Sequence, residues 1–283
     1  GAEGGGGGVF RFDGTTGAFI DEFIPRGADS INSVWGIAFD TNGDLYVAER
    51  DQARVVKFSG VDGSSLGDFV TAGDGGLGSI RGMTFGPDGN LYLADFSSDR
   101  IIQYSGTDGR YLGDFVTSGD GGLDGPNSPV FGPDGKLYVS SYLSHAVLRF
   151  NGTTGAFIDE LVPAQRGGLR NPVGFVFLPG SDLLVSSFGT SQVKRFDGTT
   201  GDYLGEFIDN YSTSPTGLAL GGDGHLYVAA RNSNQVRRYD GTTGSCIATT
   251  VICEAGEQDT FTFTGAAGQS IFYDALQADH DGV

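Results

Sequence analysis

Apolar residues in this 283-residue chain fall into short runs that return at a fixed interval. Runs such as Leu45-Tyr46-Val47-Ala48, Leu91-Tyr92-Leu93-Ala94, Leu137-Tyr138-Val139, Leu183-Leu184-Val185 and Leu226-Tyr227-Val228-Ala229 lie between polar, glycine-rich turns. Short runs rich in β-branched and aromatic residues predict strands. No stretch keeps a 3.6-residue period long enough to predict a helix. The leading leucines of these runs are 46, 46, 46 and 43 residues apart. A second set of runs keeps the same step, with its aromatic at Phe12, Phe58, Tyr104, Phe150, Phe196 and Tyr239. A repeat this regular has to be explained before any local propensity.

Each unit resolves into four strands. The first is a run such as GIAF, GMTF or GFVF, followed by an Asp-Gly type turn, the strongest short hairpin signal. The second is the LYVA run, and a polar loop leads to the third, VVKF or its equivalent. A DGTTG-type turn leads to the fourth, such as SLGDFV. Four strands per ~45 residues is the period of a propeller blade. The third-strand run occurs six times and the LYVA run five times. The chain thus starts with a third and a fourth strand, over 9–12 and 18–24. The tail offers a hairpin, FTFTG at 261–265 and SIFYDAL at 270–276, that could supply the missing two.

The expected fold is therefore all-β, a six-bladed propeller of four-stranded antiparallel blades, with one blade closed by strands from both termini. The domain would span 9–276, after a Gly-rich linker over 1–8 and before a tail over 277–283 that leads out of it. The tail also resembles the first strands of β-sandwich modules of large bacterial surface proteins. In that case five full blades and a leftover pair would remain.

Charge and composition narrow the picture. Seventeen basic against 35 acidic side chains give a net charge of −18, which repels phosphate backbones and argues against nucleic acid as a partner. Part of this acidity recurs at the centre of the fourth strands, at Glu22, Asp68, Asp114, Glu160 and Glu206. A charge on an outer strand discourages edge-to-edge pairing. No apolar run approaches the ~18 residues needed to span a bilayer, so direct membrane insertion is not expected. Cys246 and Cys253 are the candidate disulfide, which would need a turn between them; two reduced thiols is the other reading. The linker-like start without Met or signal peptide gives the expectation of a piece of a larger protein, with assembly through neighbouring modules.

The unit Gly82-Met83-Thr84-Phe85-Gly86-Pro87-Asp88-Gly89-Asn90-Leu91-Tyr92-Leu93-Ala94-Asp95, continuing through Asp99-Arg100-Ile101, resembles the NHL repeat. The resemblance covers about residues 9–250 and implies a propeller. It says less about function, because propellers host unrelated activities. Relatives of this repeat include streptogramin lyases, peptide-amidating lyases, RNA-binding domains and extracellular or cell-surface proteins. The DGTTG-rich form is most similar to the last group.

Functional residues in a propeller are those that break the repeat. The loops after the second strand and before the first surround one mouth of the channel, the default ligand face. Glu49, Asp95, Ser141, Ser187 and Ala230 close the LYVA runs, and Arg50, Phe96, Tyr142, Phe188 and Arg231 follow them. Trp35, Arg81, Asn127, Val173 and Thr216 stand at the start of the innermost strands. Hard cations need several converging oxygens. Those inner positions offer only Asn127 and Thr216, so no metal and no cofactor are expected. Glu49 and Asp95 are expected to bond loop backbone or nearby arginines. Of the histidines only His145 reaches the mouth, without an evident acid–base partner. The glycine-rich stretches 72–78 and 118–125 lack the lysine and helix of a phosphate loop and read as inter-blade turns.

The candidate ligand-binding set is Trp35, Arg50, Arg81, Phe96, Asn127, Tyr142, Phe188 and Arg231, a partial ring of residue types enriched in recognition hot spots. The other possibility is that most of these aromatics pack between blades. The expected function is a non-catalytic extracellular or cell-surface module for scaffolding, adhesion or binding of a protein, peptide or glycan. The alternative is a lyase- or lactonase-type propeller enzyme acting at the channel mouth.

Overall fold

A computed structural model describes residues 7–14, 18–209, 214–231, 235–251 and 260–262. The chain opens with the hairpin β1 (Val9–Phe12) and β2 (Phe19–Ile24). The first blade is β3 (Val34–Phe39), β4 (Leu45–Glu49), β5 (Arg54–Phe58) and β6 (Ser65–Val70). The second is β7 (Ile80–Phe85), β8 (Leu91–Asp95), β9 (Arg100–Tyr104) and β10 (Tyr111–Val116). The third is β11 (Pro126–Phe131), β12 (Leu137–Ser141), β13 (Ala146–Phe150) and β14 (Phe157–Val162). The fourth is β15 (Pro172–Phe177), β16 (Leu183–Ser187), β17 (Gln192–Phe196) and β18 (Tyr203–Ile208). The fifth is β19 (Pro215–Leu220), β20 (Leu226–Ala230), β21 (Gln235–Tyr239) and β22 (Cys246–Val251). A last short strand, β23, covers Thr260–Thr262.

These strands form five four-stranded antiparallel blades, each ordered as in the chain. The innermost strands β3, β7, β11, β15 and β19 lie against one another in sequence. The expectation of six four-stranded blades is corrected: the propeller has five. The opening hairpin belongs to a three-stranded sheet, β2-β1-β23, in which β23 runs parallel to β1. A sixth blade of the expected kind needs an antiparallel pair from the tail beside β1, and a three-residue parallel strand is not that pair. This small sheet packs its Val9, Phe23 and Ile24 against Leu45, Val47 and Phe58 of the first blade. At its other side the Tyr227 hydroxyl of the fifth blade donates to the Gly14 carbonyl at 2.6 Å. Gly7 and Gly8 are buried. The remainder of the expected linker (1–6), the hairpin residues 263–276, the tail 277–283 and Cys253 lie outside the described residues.

Burial explains why the second strands read as unbroken apolar runs. A blade packs between two others, so both faces of its inner strands are covered. Every residue of β4, β8, β12, β16 and β20 is buried. Outer strands such as β6 are mostly exposed. Between blades, Tyr46 lies edge-on to Phe69 and Phe85 at 4.8 and 4.9 Å, and Tyr92 repeats this with Phe115 and Phe131. The turn aspartates satisfy the buried phenols: Asp88 accepts from the Tyr92 hydroxyl at 2.9 Å and the Asn90 amide at 3.1 Å. The recurring Asp-Gly-x-Leu-Tyr string therefore encodes both a turn and a cap for the tyrosine four residues after the aspartate.

The outer-strand acids do more than charge an edge. Asp68 holds Arg54 at 2.6 Å, Asp114 holds Arg100 at 2.9 Å, and Glu206 holds the buried Lys194 at 3.1 Å. The inter-blade turns over 72–78 and 118–125 are short 3-10 turns, not phosphate loops. Gly75 and Gly121 sit there with φ +62° and +61°, beneath the rings of Tyr111 and Phe157 from the next blade. A side chain at either glycine would displace the ring.

Candidate functional site

In the first four blades the residue that ends the second strand fastens the loop entering the same blade. The Glu49 carboxylate accepts from the amides of Ser33 at 3.1 Å and Gln52 at 2.6 Å. Asp95 accepts from the amides of Ser79 and Gly78 at 2.9 and 3.1 Å, and from the hydroxyls of Ser97 and Ser98 at 2.9 and 2.6 Å. Ser141 and Ser187 make the reduced version, accepting from the amides of Asp124 and Arg170. Both carboxylates are fully buried. Glu49 binds backbone amides, and Asp95 binds backbone amides, serine hydroxyls and Arg100 at 3.6 Å. Among the described residues no group of three or more metal-ligating acids, histidines or cysteines forms.

Burial pushes the Asp95 carboxyl up, but the Ser98 hydroxyl, the Ser79 amide, the Ser97 hydroxyl and the Gly78 amide outweigh it, and its pKa lies below the ordinary value. In the unfolded chain this carboxyl titrates at ~3.9. Its bonds thus contribute fully above about pH 4 and are lost as pH falls through the lower folded value. Asp95→Asn should therefore reduce stability at neutral pH and flatten the loss of stability on acidification below about pH 4, measured by denaturant unfolding. Parallel acid limbs for the two proteins would show that Asp95 does not carry this linkage.

His145 is a structural acceptor. Its Nδ1 takes the amide of Asn171 at 3.0 Å. In the preceding blade Asp99 stands at the same repeat position and takes the amide of Gly125 at 2.8 Å. Both residues have positive φ, +61° and +53°. The loop geometry is thus set first, and the side chain that fits it comes second.

The remaining candidates meet in one line. The Arg50 guanidinium lies over Trp35 at 4.8 Å, and that of Arg81 lies over the same ring at 3.8 Å. Arg81 is also 4.2 Å from the ring of Phe96, so it bridges the first and second blades. Phe96 is 6.1 Å from Tyr142, Tyr142 is 6.3 Å from Phe188, and Arg231 lies 5.8 Å from Phe188. The arc passes through all five blades in order. Trp35 is only 3% exposed and donates its indole N–H to Ser33. The other six members are half-buried, so each keeps one side toward solvent. Asn127 is the exception to the expected set: it is buried on β11, and no ring contact ties it to the arc among the described residues. Cys246 opens β22, the outer strand of the fifth blade, and is exposed.

Aromatic and guanidinium groups in alternation attract one another through the ring quadrupole, by about 0.5–1 kcal/mol per exposed contact. They also hold each other in fixed orientation, which lowers the cost of ordering them on binding. The contacts of Arg50 include an ion pair with Asp51 at 2.8 Å.

Five antiparallel four-stranded blades around a channel define a β-propeller. Solved structures share this fold at low identity. A propeller in a nidogen/laminin complex matches with a TM-score of 0.69 and 18% identity, covering 87% of this chain and 90% of that one. A streptogramin B lyase matches with a TM-score of 0.68 and 17% identity, covering 96% and 91%. Virginiamycin B lyase from Staphylococcus aureus matches with a TM-score of 0.62 and 16% identity, covering 86% and 78%. No protein-family model matches the chain, and no curated protein does.

Proposed function

We propose that this chain is a non-catalytic β-propeller module of the NHL type, extracellular or cell-surface, that binds a protein partner at the channel mouth. The observation that carries this is the unbroken arc Arg50–Trp35–Arg81–Phe96–Tyr142–Phe188–Arg231 across five blades. Half-exposed rings and guanidinium groups of this kind are the residue types that dominate protein interfaces. The structural neighbour from a nidogen/laminin complex supports a protein partner over a small molecule. The NHL assignment is supported by the Asp-Gly-x-Leu-Tyr units and their turn chemistry.

Lyases occupy the same fold, and fold does not decide function. The use made of the acid–base groups supports the binding reading. Glu49 and Asp95 are spent on loop amides, and the Nδ1 of His145 is spent on Asn171. General acid–base catalysis needs such a group within reach of a substrate proton.

The test is a displayed peptide library selected on the wild-type protein and then offered to the Phe96→Ala/Tyr142→Ala/Phe188→Ala variant. Selected sequences should be retained by the former and lost by the latter. Equal retention would remove the arc as the binding surface, and capture of glycans in place of peptides would replace the partner class.

A further inference from the structure

A second feature breaks the repeat on the same face. An open cleft of about 410 Å³ lies where the third blade meets the fourth, lined by His145, Gln165, Gly168 and Arg170. Stepping back 46 residues gives the matching positions between the second and third blades. His145 stands where that junction has Asp99, Arg166 where it has Asp120, and Arg170 where it has Asp124. Three aspartates are replaced by two arginines and an imidazole. In a chain with a net charge of −18, this is a local reversal of sign.

Arg166 lies outside the lining and is held by Asp202 at 3.6 Å and the Gly201 carbonyl at 3.2 Å, whereas the donors that line the cleft are uncommitted. The Arg170 side chain is exposed and has no hydrogen-bond or ion-pair partner among the described residues, unlike Arg54, Arg100 and Arg149, each held by a carboxylate. The Gln165 carboxamide is likewise without a partner among them. His145 accepts from Asn171 on Nδ1, which leaves Nε2–H as its remaining donor. Gln165 also adopts φ +65°, a position that Gly27, Gly73 and Gly119 fill in the three preceding junctions with φ near +73°. A non-glycine residue in the left-handed region is strained, and such outliers gather at ligand sites.

We propose that this cleft binds an oxyanion, a sulfate, phosphate or carboxylate group, held by the Arg170 guanidinium, the His145 Nε2–H and the Gln165 amide. A guanidinium presents paired donors that match two oxygens of such a group. The cleft is independent of the aromatic arc, and either can fail without the other.

The experiment is a titration of the whole protein with sodium sulfate, sodium phosphate and sodium acetate in separate series, with ionic strength held constant by sodium chloride. Backbone amide signals of residues 145 and 165–171 are followed by heteronuclear NMR. Saturable shifts are expected with at least one of the three. Arg170→Gln should weaken that binding on the order of ten-fold. His145→Asp should abolish it while preserving the loop, because Asp99 makes the equivalent bond in the second blade. Gln165→Gly should weaken binding, whereas a purely structural glutamine would leave binding unchanged. The Phe96→Ala/Tyr142→Ala/Phe188→Ala variant should titrate like wild type. Shifts that stay linear in all three salts, or equal saturation in wild type and His145→Asp, would overturn the proposal.

Discussion

Replacing Gly155 with alanine is expected to lower the melting temperature by about 10 °C or more, or to prevent native folding outright. Gly155 lies in the turn between β13 and β14 with φ +73°, and an added Cβ would sit 1.7 Å from the Phe115 carbonyl oxygen on β10 of the preceding blade. Gly109 meets Phe69 and Gly201 meets Leu161 at the same 1.7 Å. These glycines are where one blade's turn is seated on the preceding blade's outer strand, so the clash cannot be relieved without separating two blades. Left-handed backbone alone costs an alanine about 1 kcal/mol, and forcing backbone apart adds several kcal/mol more. Gly135 provides the control. It has φ +75° and no atom within 4 Å of its added Cβ. Gly135→Ala should therefore show only the backbone contribution, about 3 °C. Equal thermal shifts for the two variants would mean that the blades are not interlocked at this turn.

Truncating Phe96, Tyr142 and Phe188 together is expected to weaken partner binding by about a hundred-fold or more. Central aromatic anchors each contribute roughly 1–2 kcal/mol or more when truncated. These three also support one another at ring separations of 6.1 and 6.3 Å. Losing Phe96 would further free Arg81, which lies between it and Trp35. Because half-buried rings also contribute to stability, Phe96→Leu/Tyr142→Leu/Phe188→Leu serves as a second variant. Leucine keeps much of the apolar contact and removes the ring faces. The leucine set should hold its melting temperature close to wild type and still lose most of the affinity, read by calorimetric titration with a selected peptide. Full affinity in the leucine set would mean that ring faces are not what the partner contacts.

The repeat was legible because its physics is local. Asp88-Gly89 makes a turn, Asp88 also caps Tyr92, and Leu91 to Ala94 is apolar on both faces because both are covered. The same three demands recur every 46 residues, so spacing alone located the strands. Blade number is a different kind of property. It depends on how the first and last sheets meet, and a 46-residue step carries no information about that junction. The tail runs at 261–265 and 270–276 suggested a sixth blade, whereas the described residues give β23 parallel to β1 and five blades.

The site divides along the same line. Arc residues could be picked out because they vary where the repeat is otherwise constant. Asn127 met that criterion, but among the described residues no ring contact joins it to the arc, because its side chain carries neither a ring nor a guanidinium. The interleaving of Arg81 between Trp35 and Phe96 needed the packing of neighbouring blades. Arg170 and Gln165 were missed, although aligning 163–171 with 117–125 at the 46-residue step exposes the change from aspartate to arginine.

Trp35 is the only tryptophan in the chain and sits within the arc between two guanidinium groups, so its emission reports on the mouth directly. The decisive measurement is the fluorescence of the wild-type protein during titration with a selected peptide whose binding is established independently by calorimetry. A saturable change in Trp35 intensity or wavelength, with the same midpoint as the calorimetric curve, is the predicted result. Calorimetric saturation with unchanged Trp35 emission would place the partner elsewhere on the propeller.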